Sequence, residues 1–385
     1  MTAPDDMIRR ADAADLDALV ALETASFDAD RLSRTSYRRL LRRGSAVILV
    51  YEEAHEDGRR LCGSAVVLFR RGLAAARLYS IAVAHECRGR GIGQALVEAA
   101  LEATLARDCL ILRLEVREDN EDAIRLYERL GFQRTGHIKA YYSDGVAALR
   151  YERTSLTHRA PVRSLAIPYY AQTLDFTCGA ACLIMAIRHF RPRRPATRAL
   201  EIELWRAATT VFMTSGIGGC SAEGLAIAAL AQGLHTAVLT DDRGIPFIDS
   251  VRSPEKKEVL RIVHGAFIET LEARGESVNY RSFRKAEITR AIDRGAVPIL
   301  LVSSYRLHGD RTPHWVVVTG YDDHFIYIHD PYIPDDVPEF DGRHIPILER
   351  DFARMHRYGR TGRRMMVLVH ERPLTPDDWT PGGAL

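Results

Sequence analysis

The stretch that decides the fold of the first half of the chain is Arg88-Gly89-Arg90-Gly91-Ile92-Gly93. It follows an apolar run, Leu78 to Val83, and precedes a helix-like run from Gln94 to about Ala106. This order predicts a strand that leads through a glycine-rich turn into a helix. Backbone N–H groups at the start of a helix are unpaired and partly positive, so they attract phosphate. Glycines let the backbone approach a ligand, and the two arginines add charged donors.

Two other interpretations fit a glycine-rich turn. The turn could be no more than a tight connection between a strand and a helix. It could also be a dinucleotide-binding turn, which normally follows the first strand and is followed about twenty residues later by an acidic residue. Here two or three predicted strands precede the turn, and its Arg-x-x-Gly-x-Gly spacing differs from the dinucleotide pattern.

The segments around the turn resemble the GNAT superfamily of acetyl-CoA-dependent N-acetyltransferases, over roughly residues 7 to 153. The turn corresponds to the pyrophosphate loop of that family. The next strand and helix of the family follow in order as Leu114-Glu115-Val116-Arg117, Asn120, Ala123, Leu126-Tyr127 and Leu130-Gly131-Phe132. The resemblance implies an α/β domain with a mixed, splayed central sheet, flanking helices and acetyl-CoA as the co-substrate.

The resemblance also implies roles for single residues. Glu115 is the candidate general base, acting through water, and Tyr127 is the candidate general acid toward the CoA sulfur. The pantetheine arm would bind where strands 78–83 and 110–117 splay apart, through the backbones of Ile81 and Val83. The predicted cofactor-binding residues are Ile81, Ala82, Val83, Arg88, Gly89, Arg90, Gly91, Ile92, Gly93, Asn120 and Tyr127.

Structural alternatives stay open for three of these residues. Glu115 could pair with Arg113 or Arg117 on its own strand. Tyr127 could pack in the core, and Asn120 could cap a helix.

The segment from Gly136 to Gly145, with its Tyr141-Tyr142 pair and Asp144-Gly145 turn, resembles the end of the bacterial ribosomal-protein-alanine N-acetyltransferases. Those enzymes acetylate the N-terminal α-amine of a protein. An α-amine has a pKa near about 8, against about 10.4 for lysine, and is therefore easier to deprotonate. Alternatively, the two tyrosines pack at the edge of the sheet. Residues 24–45, where acceptor choice is usually made, diverge from that subfamily.

The second informative stretch is Gln172-Thr173-Leu174-Asp175-Phe176-Thr177-Cys178-Gly179-Ala180-Ala181-Cys182. It predicts a cysteine at the start of a helix, where the helix dipole stabilises a thiolate. An imidazole can activate such a thiol as an ion pair. Gln172, six residues before Cys178, could donate its amide to an oxyanion.

Two residues further along the chain could complete this site. His314 directly precedes a predicted strand at 315–319, and Asp330 follows the next one at 325–329. Adjacent strands would bring the two side chains together, so that Asp330 orients the imidazole. We predict Gln172, Cys178, His314 and Asp330 as catalytic residues.

These four positions resemble the papain-like peptidases that process bacteriocin leaders, over about residues 165 to 371. The resemblance implies an α+β domain, with a helical part and an antiparallel sheet. A catalytically silent relative is the alternative. Cys182 is expected in the core and Cys220 in a loop, and His189, His235 and His308 are expected to be structural or solvated. The charged region 254–294 is predicted to form two exposed helices.

Composition limits the remaining possibilities. A chain of 385 residues should hold two or more domains. We predict a transferase domain at 7–153, a linker at 154–164, a peptidase-like domain at 165–371 and a tail at 372–385. A net charge of +2 gives no electrostatic case for nucleic acid or a membrane surface. No apolar run approaches the ~18 residues of a membrane span, and the N-terminus does not resemble a secretory signal.

The cysteine pattern points away from metals. Six cysteines are scattered without a Cys-x-x-Cys pair, which gives little support for zinc or a disulfide framework. We therefore expect no metal and a reducing, cytoplasmic location.

For the whole protein, the sequence favours a bifunctional enzyme that transfers acetyl groups to an amine and hydrolyses a peptide bond. In an alternative, the second domain only binds and presents a peptide or protein to the transferase. A third possibility is acetylation of a small molecule.

Overall fold

The computed structural model describes residues 8–55, 58–70, 72–155, 162–213, 216–276, 278–309, 312–334, 342–359 and 361–381. The chain divides into two compact units, one up to residue 158 and one from residue 159. The predicted linker includes this division, although its residues 156–161 lie outside the described part. The precise domain bounds stay a prediction.

The first unit is a seven-stranded sheet with the order β1-β2-β3-β4-β5-β7-β6. The β4–β5 pair is parallel and the other pairs are antiparallel. The elements are β1 Ile8–Arg10, α1 Leu16–Ser26, α2 Arg34–Arg42, β2 Ala46–His55, β3 Gly58–Phe69, β4 Ala75–Val83, α3 Ile92–Leu105, β5 Ile111–Arg117, α4 Glu121–Arg129, β6 Gln133–Ile138 and β7 Ala148–Thr154.

Both faces of this sheet are covered, which explains the unbroken apolar run at the start of β2. Ile48 and Val50 pack with residues of α1 and α2. Val47 and Leu49 point the other way and pack with the core around α3. Alternate residues of a strand face opposite sides, so a strand between two helical layers must be apolar at every position.

The two central strands splay apart, as the resemblance predicted. β4 pairs with β5 only from Ala75 to Leu78, opposite Ile111 to Leu114, and no pairing follows beyond this point in the described residues. A bulge in β4 lies at the same place, because Leu78 and Ser80 face consecutive residues of β3. Bulges bend a strand and increase its twist. The local geometry of β4 therefore turns the strand away from β5.

The second unit contains one large sheet with the order β12-β11-β17-β13-β14-β15-β16, with β8 paired to β14. The β11–β12 pair at one edge is parallel and the other pairs are antiparallel. The elements are β8 Arg163–Ser164, α5 Cys178–Phe190, α6 Arg198–Ala208, β9 Phe212–Met213, β10 Gly216–Ile217, α7 Ala222–Ala231, β11 His235–Thr240, α8 Pro254–Ala273, β12 Val278–Tyr280, α9 Lys285–Asp293, β13 Val297–Ser303, β14 Pro313–Tyr321, β15 Phe325–His329, β16 Ile345–Leu348, α10 Glu349–Met355 and β17 Met365–His370.

Helix α5 is the centre of this unit. Its first ten residues, Cys178 to Ile187, are all buried, and the helix packs on β14 and beside α6 and α7. A helix that is apolar on every side requires neighbours on every side. This packing fixes the start of α5 against the sheet.

One element departs from its predicted environment. The region 254–294 does form two helices, α8 and α9, but α9 is not an exposed helix. Ile288 and Ala291 are fully buried, and α9 packs on β13 and β14. Charged residues are interspersed with this short apolar stripe in the sequence and mask it, and one of them, Glu287, is itself buried.

No helix in the described ranges is long and apolar enough to cross a membrane.

Candidate active sites

The glycine-rich loop of the first unit has the backbone that its sequence predicted. Gly89 and Gly91 have φ angles of 75° and 81°, in the left-handed region where a side chain is strained. Gly91 is the N-cap of α3, so the first N–H groups of the helix face the loop. The loop arginines contact the protein itself. Arg90 donates to both oxygens of Glu53 at 2.6 and 3.0 Å, and Arg88 donates to the Val83 carbonyl at 3.3 Å.

The diverging part of β4 carries the predicted pantetheine-binding residues Ile81, Ala82 and Val83. The N–H of Ala84 donates to the Cys62 carbonyl of β3 at 2.9 Å. Because N–H directions alternate along a strand, those of Ile81 and Val83 point away from β3, into the gap beside β5. These groups are available to an extended ligand.

Glu115 lies at this gap, but its partners differ from those expected. Its two oxygens accept hydrogen bonds from Arg77 Nε and Arg150 Nε, both at 2.8 Å, and its side chain is only 2% exposed. Arg113 and Arg117, the expected partners, instead pair with Glu152 and with Asp119 and Asp144. Directly opposed residues on neighbouring strands lie closer than second neighbours on one strand, and Glu115 is opposite Arg150.

The Tyr141-Tyr142 segment reaches the same region. The Tyr141 hydroxyl accepts a hydrogen bond from Arg77 Nη2 at 2.6 Å, and the Tyr141 ring packs edge-on against Tyr142. Ser143 donates twice to Asp30, in the loop between α1 and α2. The two tyrosines therefore do more than pack at an edge, because a chain of hydrogen bonds connects Tyr141 to Glu115.

Tyr127 and Asn120 lie in α4 and at its start. Tyr127 is 4% exposed and belongs to the core around α3, with its ring against Phe132. Burial raises the pKa of Tyr127 well above its usual value. The hydroxyl is thus protonated near neutral pH and can act as a donor. The Asn120 side chain caps α4 by accepting from the Ala123 N–H at 3.1 Å, as the structural alternative expected.

A carboxylate that the sequence analysis did not identify also points toward β4. Glu23 of α1 is 2% exposed and accepts from Tyr37 Oη at 2.8 Å, the Leu32 N–H at 2.9 Å and Ser80 Oγ at 3.4 Å. It follows Leu19 and Leu22 on the apolar face of the helix. A charged residue in such a stripe was the signal that could have revealed it.

In the second unit, the predicted catalytic residues come together. Cys178 is the first residue of α5, and its thiol hydrogen-bonds the imidazole of His314. His314 lies near the start of β14, and its Nε2 is 2.7 Å from Asp330 Oδ1. Because Nε2 contacts the carboxylate, Nδ1 is the nitrogen that remains for the thiol.

The charged forms of His314 and Asp330 stabilise each other. Burial alone lowers the pKa of His314, but the Asp330 carboxylate and the Cys178 thiol outweigh burial and raise this pKa to about 10. Burial alone raises the pKa of Asp330, but His314 and His308 hold it well below its usual range. Near neutral pH, His314 is therefore the imidazolium and Asp330 the carboxylate.

His308 is part of this site, contrary to the expectation of a structural or solvated residue. Its Nε2 is 2.8 Å from Asp330 Oδ2, and its ring packs edge-on against those of His314 and Tyr332. Asp330 thus bridges two imidazoles. His308 lies in the loop after β13, and its contact with Asp330 at the end of β15 depends on the fold. No local sequence pattern therefore marks it.

Gln172 lies beside the Asp330–Pro331 segment, since its backbone N–H donates to the Pro331 carbonyl at 2.9 Å. Its side-chain Nε2 donates to the Leu174 carbonyl at 2.9 Å, which leaves the second N–H of the amide for another acceptor. Its Oε1 is buried without a partner in the described residues. Buried polar atoms normally have a hydrogen-bond partner, so this oxygen is consistent with a ligand that completes the hydrogen bonds of the Gln172 amide.

A second carboxylate that the sequence analysis missed holds this loop. Glu201 of α6 is fully buried and accepts from the Thr173 N–H and hydroxyl, the Thr177 hydroxyl and Tyr170 Oη. These bonds fix the chain between Tyr170 and Cys178. Glu201 is therefore a positioning residue for both Gln172 and the nucleophile.

Comparisons with known proteins give a family for each of the two units. The sequence pattern of the Peptidase C39-like family matches residues 167–370, and that of the GNAT acetyltransferase family matches residues 16–132. A Bacillus subtilis protein, provisionally named a ribosomal protein bS18-alanine N-acetyltransferase, is 34% identical over 131 residues. That match covers 34% of this chain and 82% of the relative. This chain therefore belongs to the GNAT acetyltransferase family through its first unit and to the Peptidase C39-like family through its second.

Two further relatives resemble the first unit. Human N-alpha-acetyltransferase 30 is 42% identical over 83 residues, which is 22% of each chain. The crystal structure of the Escherichia coli ribosomal-protein-S18-alanine N-acetyltransferase is 25% identical, with a TM-score of 0.35. The matched region covers 39% of this chain and 94% of that protein. GNAT acetyltransferases use acetyl-CoA, and the first unit of this chain is an N-acetyltransferase.

Proposed function

We propose that the protein is a bifunctional enzyme that hydrolyses a peptide bond in its second unit and acetylates an N-terminal α-amine in its first. The observation that carries the peptidase half is the Cys178–His314–Asp330 arrangement. These residues are distant in sequence, yet they form one hydrogen-bonded series at the start of a buried helix. Six free thiols, all buried, are consistent with the expected reducing cytoplasm.

The hydrolytic steps follow from this geometry. The Cys178 thiolate attacks the peptide carbonyl carbon, and the resulting oxyanion accepts hydrogen bonds from the second N–H of Gln172 and from the start of α5. His314 gives its proton to the departing amine as the C–N bond breaks, which leaves an acyl-enzyme. Neutral His314 then takes a proton from water, whose oxygen attacks the thioester. The acid product leaves, and Cys178 is regenerated.

In the first unit, the loop at residues 88–93 would hold the pyrophosphate of acetyl-CoA, and Ile81 and Val83 would bind its pantetheine arm. A neutral amine then attacks the thioester carbonyl carbon, Tyr127 protonates the departing thiolate, and Glu115 receives the amine proton through water. Glu115 needs a lone pair for that water, in addition to those that accept from Arg77 and Arg150.

Three observations support an N-terminal α-amine as the acceptor. Two of the relatives named above are called an alanine N-acetyltransferase and an N-alpha-acetyltransferase. The Tyr141–Tyr142 segment lies within hydrogen-bonding reach of the Arg77–Glu115 pair. The Ser143–Asp30 bonds connect this segment to the loop between α1 and α2, where acceptor choice is expected.

The acceptor is tested with two peptides of the same sequence, one with a free N-terminal alanine and one with that amine blocked and an internal lysine. We expect acetyl-CoA-dependent acetylation of the first peptide only, read by mass spectrometry. Preferential transfer to the lysine peptide, or to polyamines, would exclude this acceptor class.

The fusion of the two units supports a coupled task, in which cleavage exposes a new α-amine and the transferase acetylates it. The decisive experiment for the peptidase half is the pH dependence of alkylation at Cys178, in the wild type and in His314→Ala. We expect Cys178 to be alkylated readily near neutral pH in the wild type and much more slowly when His314 is removed, because the thiolate is the reactive form. The same pH profile in both proteins would favour the alternative, a domain that only binds and presents a peptide.

A further inference from the structure

Three potential metal ligands from separate segments converge beside the glycine-rich loop. They are Glu53 of β2, Cys62 of β3 and Cys87, which ends the short turn His85–Cys87. One carboxylate oxygen and two sulfurs lie within 4.8 Å of one another. We propose that these three residues bind one Zn²⁺ ion, with water in the fourth position.

The distances between the three ligand atoms are close to those that a bound zinc ion requires. Cys62 Sγ is 3.5 Å from Glu53 Oε2, and the Cys62 and Cys87 thiols are in hydrogen-bonding contact. Tetrahedral zinc, with Zn–S of about 2.3 Å and Zn–O of about 2.1 Å, requires an S···O separation of about 3.6 Å. Two thiolates and a carboxylate are also a donor set that zinc prefers over magnesium or calcium.

The backbone holds the two cysteines in this position. Tyr51 and Glu52 of β2 face Gly63 and Leu61, so Cys62 is the extra residue of a β-bulge. Bulges redirect side chains and commonly occur at functional sites. The Cys62 carbonyl accepts from the Ala84 N–H at 2.9 Å, and the Ala84 carbonyl accepts from the Cys87 N–H at 2.8 Å. These two hydrogen bonds hold the backbone segments that carry the two sulfurs next to each other.

The local charges balance when the metal is present. Two thiolates and one carboxylate carry three negative charges, and Zn²⁺ with the Arg90 guanidinium supplies three positive charges. Arg90 already donates to both Glu53 oxygens, and a carboxylate has enough lone pairs to accept from Arg90 and bind a metal. Binding releases two thiol protons to solvent. The ion would connect β2 and β3 to the loop that starts at Arg88.

The test uses the full chain with the substitution Cys178→Ala. This background is needed because His308, His314 and Asp330 of the second unit also lie within 4.8 Å of one another, next to Cys178. Chelator-treated protein is titrated with Co²⁺, and thiolate-to-cobalt charge-transfer absorption is recorded. We expect one equivalent with this absorption, displaced by Zn²⁺, and its loss in Cys62→Ser and in Cys87→Ser. Cys109→Ser, a buried cysteine of the same unit outside the cluster, should keep it.

The absence of charge-transfer absorption, or absorption that survives Cys62→Ser, would overturn the proposal. Because serine at a buried position can impair folding, Glu53→Gln provides an independent variant that keeps both thiols. We expect its Zn²⁺ affinity, measured by competition with a chromogenic chelator, to fall by at least about tenfold. An unchanged affinity, or failure of the reduced full chain with Cys178→Ala to take up Zn²⁺, would exclude the site.

Discussion

At the scale of single residues, the least expected feature of the peptidase-like site is the second imidazole on Asp330. A fully buried carboxylate needs partners for both of its oxygens, because an unsatisfied buried charge is costly. His314 bonds Oδ1 and His308 bonds Oδ2, and the Tyr332 N–H also donates to Oδ1 at 3.0 Å. His308 therefore fixes the carboxylate that orients His314.

We predict that His308→Ala lowers the free energy of unfolding of the second unit by about 1–3 kcal/mol, since one Asp330 oxygen loses its partner. The measurement is urea unfolding followed by tryptophan fluorescence. All three tryptophans of the chain, Trp205, Trp315 and Trp379, belong to the second unit, so the signal reports on that unit alone. His324→Ala, at a partly exposed histidine of the same unit, is the control and should change the value by less than about 0.5 kcal/mol. Equal effects of the two substitutions would contradict the role of His308.

The titration of His314 gives a pH-dependent prediction. Its pKa is raised to about 10 in the folded unit, so its contribution to stability is complete below about pH 6.5 and disappears as the pH rises toward 10. The pKa of Asp330 is lowered, so its contribution is complete above about pH 4 and is lost as the pH falls below that value.

The stability advantage of the wild type over His314→Gln should therefore be largest between about pH 4 and 6.5 and should shrink as the pH approaches 10. Urea unfolding at about pH 6 and about pH 9.5, read by the same tryptophans, tests this expectation. An advantage that is equal at both pH values would show that His314 is not held as an imidazolium.

At the scale of elements, helices α6 and α7 approach each other at Gly224. A Cβ at this position would overlap the backbone carbonyl of Ala208, whereas a Cβ at Gly265 in α8 would meet nothing within 4 Å. Backbone contacts this close cannot yield by side-chain rotation, so we predict that Gly224→Ala destabilises the second unit by more than about 2 kcal/mol. Gly265→Ala is the matched control and should stabilise it by up to about 1 kcal/mol, because alanine favours a helix. Similar effects at both glycines would argue against the close crossing.

Element boundaries also show what the sequence could and could not predict. The strand–loop–helix unit around Gly89 and Gly91 was predictable, because glycine-rich turns and apolar periodicity are local signals. The burial of α9 was not, since its three buried apolar residues, Ile288, Ala291 and Ile292, are interspersed with charged residues in the sequence. Strand β11 was missed as well. Its pairing with β12 and β17 comes from distant parts of the chain, which local patterns do not encode.

Candidate sites follow the same rule. Cys178, His314 and Asp330 were found because each has a recognisable local sequence, whereas His308, Glu201 and Glu23 matter through contacts that only the fold creates. The expectation of no metal depended on short cysteine spacings. Cys62 and Cys87 lie far apart in sequence and meet only through a β-bulge and a turn.

At the scale of the whole molecule, the two proposed steps, cleavage and then acetylation, can be separated by substitutions in one site or the other. With an internal peptide and acetyl-CoA, the wild type should yield a fragment with an acetylated N-terminus, and Cys178→Ala should yield none. Tyr127→Phe should yield the same fragment with a free α-amine, because only the transfer step is impaired. Mass spectrometry distinguishes these products, and fragments that always remain unacetylated in the wild type would refute coupling.

The divergence of β4 from β5 has a consequence for the solution behaviour of the protein. Unpaired backbone along a strand readily recruits strands from other molecules, which makes ordinary sheet edges prone to aggregation. Here the unpaired stretch after Leu78 lies inside the sheet, and β4 and β5 remain joined just before it. A neighbouring protein cannot dock there as it would on an open edge, while a thin, extended molecule can. The same cleft therefore leaves backbone N–H groups open to a slender ligand without presenting them as a free sheet edge.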